Sequence, residues 1–185
     1  MRPMPPYPDF VTLKNDQIFI NIAEKGAEIV EGKYLSGEDF IWMGDENWSD
    51  HSPTLFPICG TLIDNKCTHA GQEYSMGIHG FAQNFTFTVE EKTEQSVLLS
   101  LKYSEETLKY YPFKFKFFVR YTISGKTVTV EHRVENLDDG DIFFSFGSHE
   151  GYYIPDGVEN YYLELDQNRT LFSAQLDGPY LRGDS

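Results

Sequence analysis

The stretch "FKFKFFVRYTI", residues 113 to 123, constrains the fold more than any other part of the chain. Phe113, Phe115, Phe117, Val119, Tyr121 and Ile123 recur at every second position, and Lys114, Lys116, Arg120 and Thr122 fill the places between, with Phe118 the exception. A period of two is the mark of a strand with one buried face, because successive side chains of a strand point to opposite sides. "SGK" then turns the chain, and Val128, Val130 and Val134 repeat the pattern on the way back. "QIFINIA", with Ile18, Ile20 and Ile22 on one face, and "DIFFSFGSHEG", after the acidic turn "NLDDGD", read as further strands. The single helical candidate is "SEETLKYYP", residues 104 to 112. Ser104 would cap it, Glu105 and Glu106 suit its positive end, and Pro112 stops it. The pattern predicts an all-β antiparallel protein, a sandwich or an open barrel.

A chain of 185 residues holds one domain, expected over residues 11–185 behind a proline-rich arm at 1–10. Hydrophobic residues at 40% and aromatics at 16% supply a core and exclude disorder. The formal net charge of −14 argues against nucleic acid and anionic membranes as partners and favours a neutral or cationic ligand. "MRPMPPYPDF" lacks an apolar segment of signal-peptide length, and no later run is long enough to cross a bilayer. With only Cys59 and Cys67, the expectation is a soluble cytoplasmic protein with reduced thiols. The sequons at Asn47, Asn84 and Asn168 carry no weight without secretion, and the closing "RGDS", residues 182 to 185, reads as coincidence. Cys67-Thr68-His69 with Cys59 offers soft ligands, but the seven residues between the cysteines are loose for structural zinc, so no metal is expected. There is no Walker loop, dinucleotide fingerprint or G-x-S-x-G elbow, so no cofactor is expected.

Two of the five histidines stand out. In "SMGIHGFAQN", residues 75 to 84, Gly80 leaves room for a ligand to approach His79, and Phe81 offers a flat apolar face. In "DIFFSFGSHEG", alternation puts His149 on the same face as the small residues Ser145 and Gly147, which leaves a hollow beside a titratable group. A strand-end histidine facing water is the competing reading, and the pattern leaves both open. Glu150 should point to the opposite face and is a poor partner for His149. His132, in phase with the valines, reads as a core or edge histidine, and His51 and His69 as solvated turn residues.

Several motifs together resemble the aldose 1-epimerase (galactose mutarotase) family, especially its bacterial branch with unassigned sugars. "GAEIVEGKYLSGEDFIWMGDENWSDHSPTLFPICGTL" resembles the family's first strands and its Trp-containing approach to the site. "YSMGIHGFA" resembles its first histidine motif, and "VENLDDGDIFFSFGSHEGYYIP" the strand of its second, so the resemblance runs from about Leu13 to the chain end. It implies a β-supersandwich with a monosaccharide cleft on one sheet. The implied reaction opens the hemiacetal ring of an aldose, rotates the aldehyde and closes it, interconverting the α and β anomers. One group protonates the ring oxygen and another removes the anomeric hydroxyl proton. By the same resemblance His149 falls at the general acid and His79 at a second histidine near the ring oxygen, with Trp48 and Phe81 as apolar platforms.

The resemblance also marks departures. Thr61 stands where the family has a sugar-binding arginine, and Gln83 where the related branch commonly has another. "SHEGY" lacks the proline that usually follows the histidine. The family's base is a glutamate in a strand later than any matched here. The chain is therefore expected to be a partial family member, weak or inactive as an isomerase. The alternative is a non-catalytic sugar-binding or sugar-sensing domain. Exposed sheet edges, and the apolar face of residues 113–123 left without cover, would favour a homodimer.

Overall fold

The computed structural model describes residues 9–164, 176–177 and 180–181. The proline-rich arm up to residue 8, the third sequon and the "RGDS" stretch lie outside the described residues. Strands β1 (Phe10–Lys14), β2 (Ile18–Ala23) and β3 (Glu28–Tyr34) are followed by β4 (Thr54–Leu55) and the hairpin β5 (Lys66–His69) and β6 (Gln72–Ser75). Then come β7 (Thr88–Lys92), β8 (Ser96–Lys102), β9 (Phe115–Ser124), β10 (Thr127–Asn136) and the short β11 (Gly147–Ser148). The described residues hold 3-10 turns but no α-helix.

Two antiparallel sheets carry the fold, one ordered β1-β2-β3 and the other β10-β9-β8-β7. The period-two reading of β9 holds at every position but Phe118. Phe115, Phe117, Val119, Tyr121 and Ile123 are all buried, at 3% exposure or less. They meet Leu13, Ile20 and Ile22 from the first sheet in one core. A hydrogen bond crosses between the sheets, where the Tyr121 hydroxyl donates to the Ala27 carbonyl at 2.6 Å. Burial pushes that phenol's pKa up, as an uncharged donor requires. Phe118 breaks the alternation because it faces away from this core, under the Lys116 ammonium (4.8 Å) and the Arg133 guanidinium (4.0 Å). At the heart of the core, Phe56 stacks on Phe117 with ring centres 4.5 Å apart and an angle of 13°.

Three expectations change. The helix at residues 104–112 is only a 3-10 turn, Thr107–Lys109. Its N-cap is Glu106 and not Ser104, but Ser104 braces the turn: its hydroxyl accepts from the Thr107 N–H, while the Thr107 hydroxyl accepts from the Ser104 N–H. One turn suffices because Tyr111 and Phe113 are already needed in the core. The strand expected at 141–151 shrinks to Gly147–Ser148, paired with β4 and not with β10. The apolar face of β9 is not left uncovered, since β8 and β10 flank it and the first sheet covers it. Exposed apolar surface lies instead at Phe143 (70%), Phe144 (41%) and Phe146 (46%).

Contacts group the chain into two compact units, one ending at Tyr153 and one starting at Ile154. The second holds a 3-10 turn, Val158–Asn160, and a hairpin of β12 (Leu176–Asp177) and β13 (Tyr180–Leu181). No helix of the described residues is long and apolar enough to cross a membrane.

Burial separates two aromatic substitutions. Phe117→Ala is expected to cost about 3–5 kcal/mol, the range for emptying a closed core site. Phe143→Ala should stay within about 1 kcal/mol, since its ring is mostly in water already. Urea denaturation of both variants checks this, and similar midpoints would place the core elsewhere.

Candidate functional site

The loop after β6 is built to present His79. Met76 is buried and donates its N–H to the Asn65 carbonyl, which anchors the loop. His79 has φ +63°, in the left-handed region uncommon for a side-chain-bearing residue. Its backbone N–H donates to the Gly60 carbonyl (2.7 Å), and the Gly60 N–H donates back to His79 Nδ1 (3.0 Å). An Nδ1 that accepts leaves the proton of the neutral imidazole on Nε2, so the outward nitrogen is a donor. Gly80 follows at φ +80°, and any Cβ there would run into the Phe56 carbonyl and come within 2.7 Å of the Pro57 nitrogen. That contact is needed, because the Phe56 carbonyl accepts from both Phe81 (3.0 Å) and Ala82 (3.1 Å).

His149 follows β11 and is exposed. Its ring centre lies 5.7 Å from that of His79, at 64°, and 5.4 Å from that of Trp48, at 43°. Two histidine motifs 70 positions apart in the chain thus meet at one place, with an indole beside them. Burial, and then the charge of His149, hold the His79 pKa below the ordinary histidine value. Both favour the neutral imidazole, whose free N–H is then on Nε2. Trp48 sits on a tight turn, where the Asp45 carboxylate accepts from the Asn47 and Trp48 N–H groups. The Trp48 carbonyl accepts from Trp42 Nε1 at 3.0 Å.

The other candidate residues divide. Thr61 is exposed, directly after the Gly60 that holds the His79 ring. Gln83 is half-buried and its amide donates to the Ile78 carbonyl at 3.4 Å, inside the same loop. Phe81 is spent in the core: it is 5% exposed and edge-on to Phe56. Little of its ring is left as a sugar platform, so its role is to seat the loop. Phe81 and Gly80 also line an open cavity of about 510 Å³, with Phe85, Glu106 and Tyr110, but neither His79 nor His149 borders it. Glu150 is half-buried, and its charge adds to the burial that raises the pKa of Tyr121 and opposes the burial that lowers that of His132. His132 is half-buried and stacks on Phe117 at 5.8 Å. His69 stays exposed but packs edge-on to Phe113 at 4.6 Å. Among the described residues, no group of three or more His, Cys, Asp or Glu side chains is placed to hold a metal ion.

Sequence reasoning missed Glu28 and misplaced His51. His51 is not solvated; it is 3% exposed, with Nδ1 3.8 Å from the Glu28 carboxylate. Glu28, 6% exposed, accepts from the backbone N–H groups of His51 (3.0 Å) and Ser52 (2.7 Å). The available signal was a lone carboxylate inside the apolar run "GAEIV". A charge there has to be bonded to be tolerated.

The sequence profile of the aldose 1-epimerase family matches residues 9–179. Protein LacX of Lactococcus lactis subsp. lactis, in its plasmid form, is 32% identical over 168 residues, covering 85% of this chain and 56% of that protein. A galactose mutarotase related enzyme from Lactobacillus acidophilus superposes with a TM-score of 0.79 at 38% identity, over 81% of this chain and 51% of that one. A galactose mutarotase-like protein from Lactobacillus casei gives a TM-score of 0.77 at 28% identity, over 82% and 52%. The chain thus spans about half the length of the relatives it matches.

Two substitutions test the geometry. His149→Ala removes the smaller of the two causes that depress His79, so the His79 pKa should rise but stay below the ordinary value. An NMR titration of the ring C–H signals reads this, and an unmoved His79 would mean the two rings are not neighbours. Linkage gives the sign for stability. A depressed pKa contributes stability that is full above the unfolded value of about 6.5 and is lost as pH falls through the folded one. Gly80→Ala should cost at least about 1–3 kcal/mol, because it adds a strained φ to a backbone collision. Thermal unfolding of the variant checks it.

Proposed function

The chain belongs to the aldose 1-epimerase family, and on that premise we propose that it binds an aldose where His79 faces His149 and assists interconversion of its α and β anomers. The observation that carries this reading is the fixed tautomer of His79. Its Nδ1 is occupied by the Gly60 N–H, and its Nε2–H is left to donate beside a second, exposed imidazole. A neutral donor next to a titratable group suits a ring oxygen that must be held and then protonated. His79 holds the ring oxygen, and His149 delivers the proton as the ring opens and withdraws it as the ring closes on the other face. Trp48 packs on His149 and limits its rotation, with an apolar face for the C–H groups of a sugar. The anomeric hydroxyl proton needs a base, which the family pattern puts in a later strand than any matched here.

A second reading, a sugar-binding domain without catalysis, is favoured by Thr61, whose short neutral hydroxyl cannot replace a bidentate arginine. The two readings part in two measurements. NMR titration of an aldohexose against the wild type, His79→Ala and His149→Ala should show binding that weakens in both variants. Polarimetry of fresh α-D-glucose and α-D-galactose should show slow equilibration, because general acid–base help is worth about 10²–10⁴-fold and only the acid half is assigned. Binding without any rate above buffer selects the second reading, and unchanged binding in both variants sinks the site. Thr61→Arg should tighten binding, each charge-assisted hydrogen bond giving about 1.5–3 kcal/mol before ordering costs.

A further inference from the structure

We propose that Glu28 is the positioning residue of this site: its buried carboxylate holds the His51–Ser52 turn by two backbone hydrogen bonds and, through that turn, fixes Trp48 and His149 against each other. The inference rests on the proposed site, but its geometry is independent of any sugar. Glu28 opens β3 and pairs with Ala23 of β2, so its own position is referenced to the core. The neighbouring Ala27 carbonyl is held by the Tyr121 hydroxyl. One carboxylate oxygen, Oε1, takes both the His51 and the Ser52 N–H. The turn is held in one place because both bonds end on the same atom.

From there the connections run into the site. The His51 carbonyl accepts from the Gly151 N–H at 2.8 Å, and the Gly151 carbonyl accepts from the Trp42 N–H at 2.8 Å. Trp42 Nε1 then donates to the Trp48 carbonyl. Gly151 lies two residues after His149, so the path joins both partners of the Trp48–His149 pair. The packing leaves no slack. A Cβ on Gly151 would lie 2.5 Å from Trp48 Cζ3 and 2.7 Å from the His51 carbonyl oxygen. An apolar residue at 28 would fill the core without burying a charge, but it could not accept these two N–H groups. Burial pushes the Glu28 carboxyl up, against the pull of the Ser52 and His51 N–H groups and the nearby His51 side chain, and Asp50 adds to the rise. The same carboxylate bears on the Tyr121 phenol.

The test reads the Trp48 indole N–H by NMR while the pH crosses the titration of His149, with His149→Ala as the blank. In the wild type the signal should move with His149, and in Glu28→Gln, which keeps an acceptor at the same place, it should still move. In Glu28→Ala and Glu28→Asp, which lose or withdraw the acceptor, the movement should be lost while the core signals of β9 persist. A movement that survives in either folded variant overturns the proposal. Should Glu28→Ala not fold, Glu28→Asp decides. Should neither fold, amide exchange in the wild type decides: the His51, Ser52 and Gly151 amides should exchange together and slowly, and fast exchange at any of them overturns it. Failure of sugar binding with the coupling intact would instead remove the functional reading and leave this one standing.

Discussion

One carbonyl group, that of Phe56, ties the interior of this protein to its candidate site. The Phe56 ring is fully buried and stacks on Phe117 of β9, so the residue is fixed by the core. Its carbonyl oxygen accepts from Phe81 and Ala82, and its N–H donates to the His79 carbonyl. The loop that presents His79 is therefore laid directly on a core residue. This close approach exists only because Gly80 has no side chain. That contact seats the loop on the core, and the two hydrogen bonds with Gly60 then set the direction of the His79 ring.

The second histidine is placed by different means. His149 leaves β11 after two paired residues, too few to orient it. Its surroundings are set by the Trp42–Ser52 segment, which wraps Gly151 in backbone hydrogen bonds and lays Trp48 on the imidazole. That segment has no regular structure of its own among residues 42–52. Its shape comes from one Asp-centred turn and from a carboxylate in the neighbouring sheet. The two halves of the site thus rest on different supports, an aromatic core on one side and a buried charge on the other.

Much of the fold was legible in the residues. Of the six apolar positions from Phe113 to Ile123, the five in β9 alternate because one face of that strand meets the opposite sheet, and all six are buried. Ile18, Ile20 and Ile22 behave likewise. "DIFFSFGSHEG" misled because alternation needs a partner strand along its whole length to mean a strand, and here only Gly147 and Ser148 find one. The turn at Thr107–Lys109 misled for the opposite reason: good capping chemistry fixes where a helix can begin, but not how long packing allows it to run.

By itself, the sequence determined the class of fold and the two histidine motifs, because periodicity and motif order are local and survive being read in one dimension. The tertiary structure alone decided that Gly60 holds His79 Nδ1 with the His149 ring 5.7 Å away, that Phe81 belongs to the core, and that His51 is buried against Glu28. Each of these depends on distance between segments far apart in the chain, and composition does not encode it. The deciding quantities were a carbonyl that only a glycine could approach and a carboxylate that had to find two N–H groups once the core closed around it.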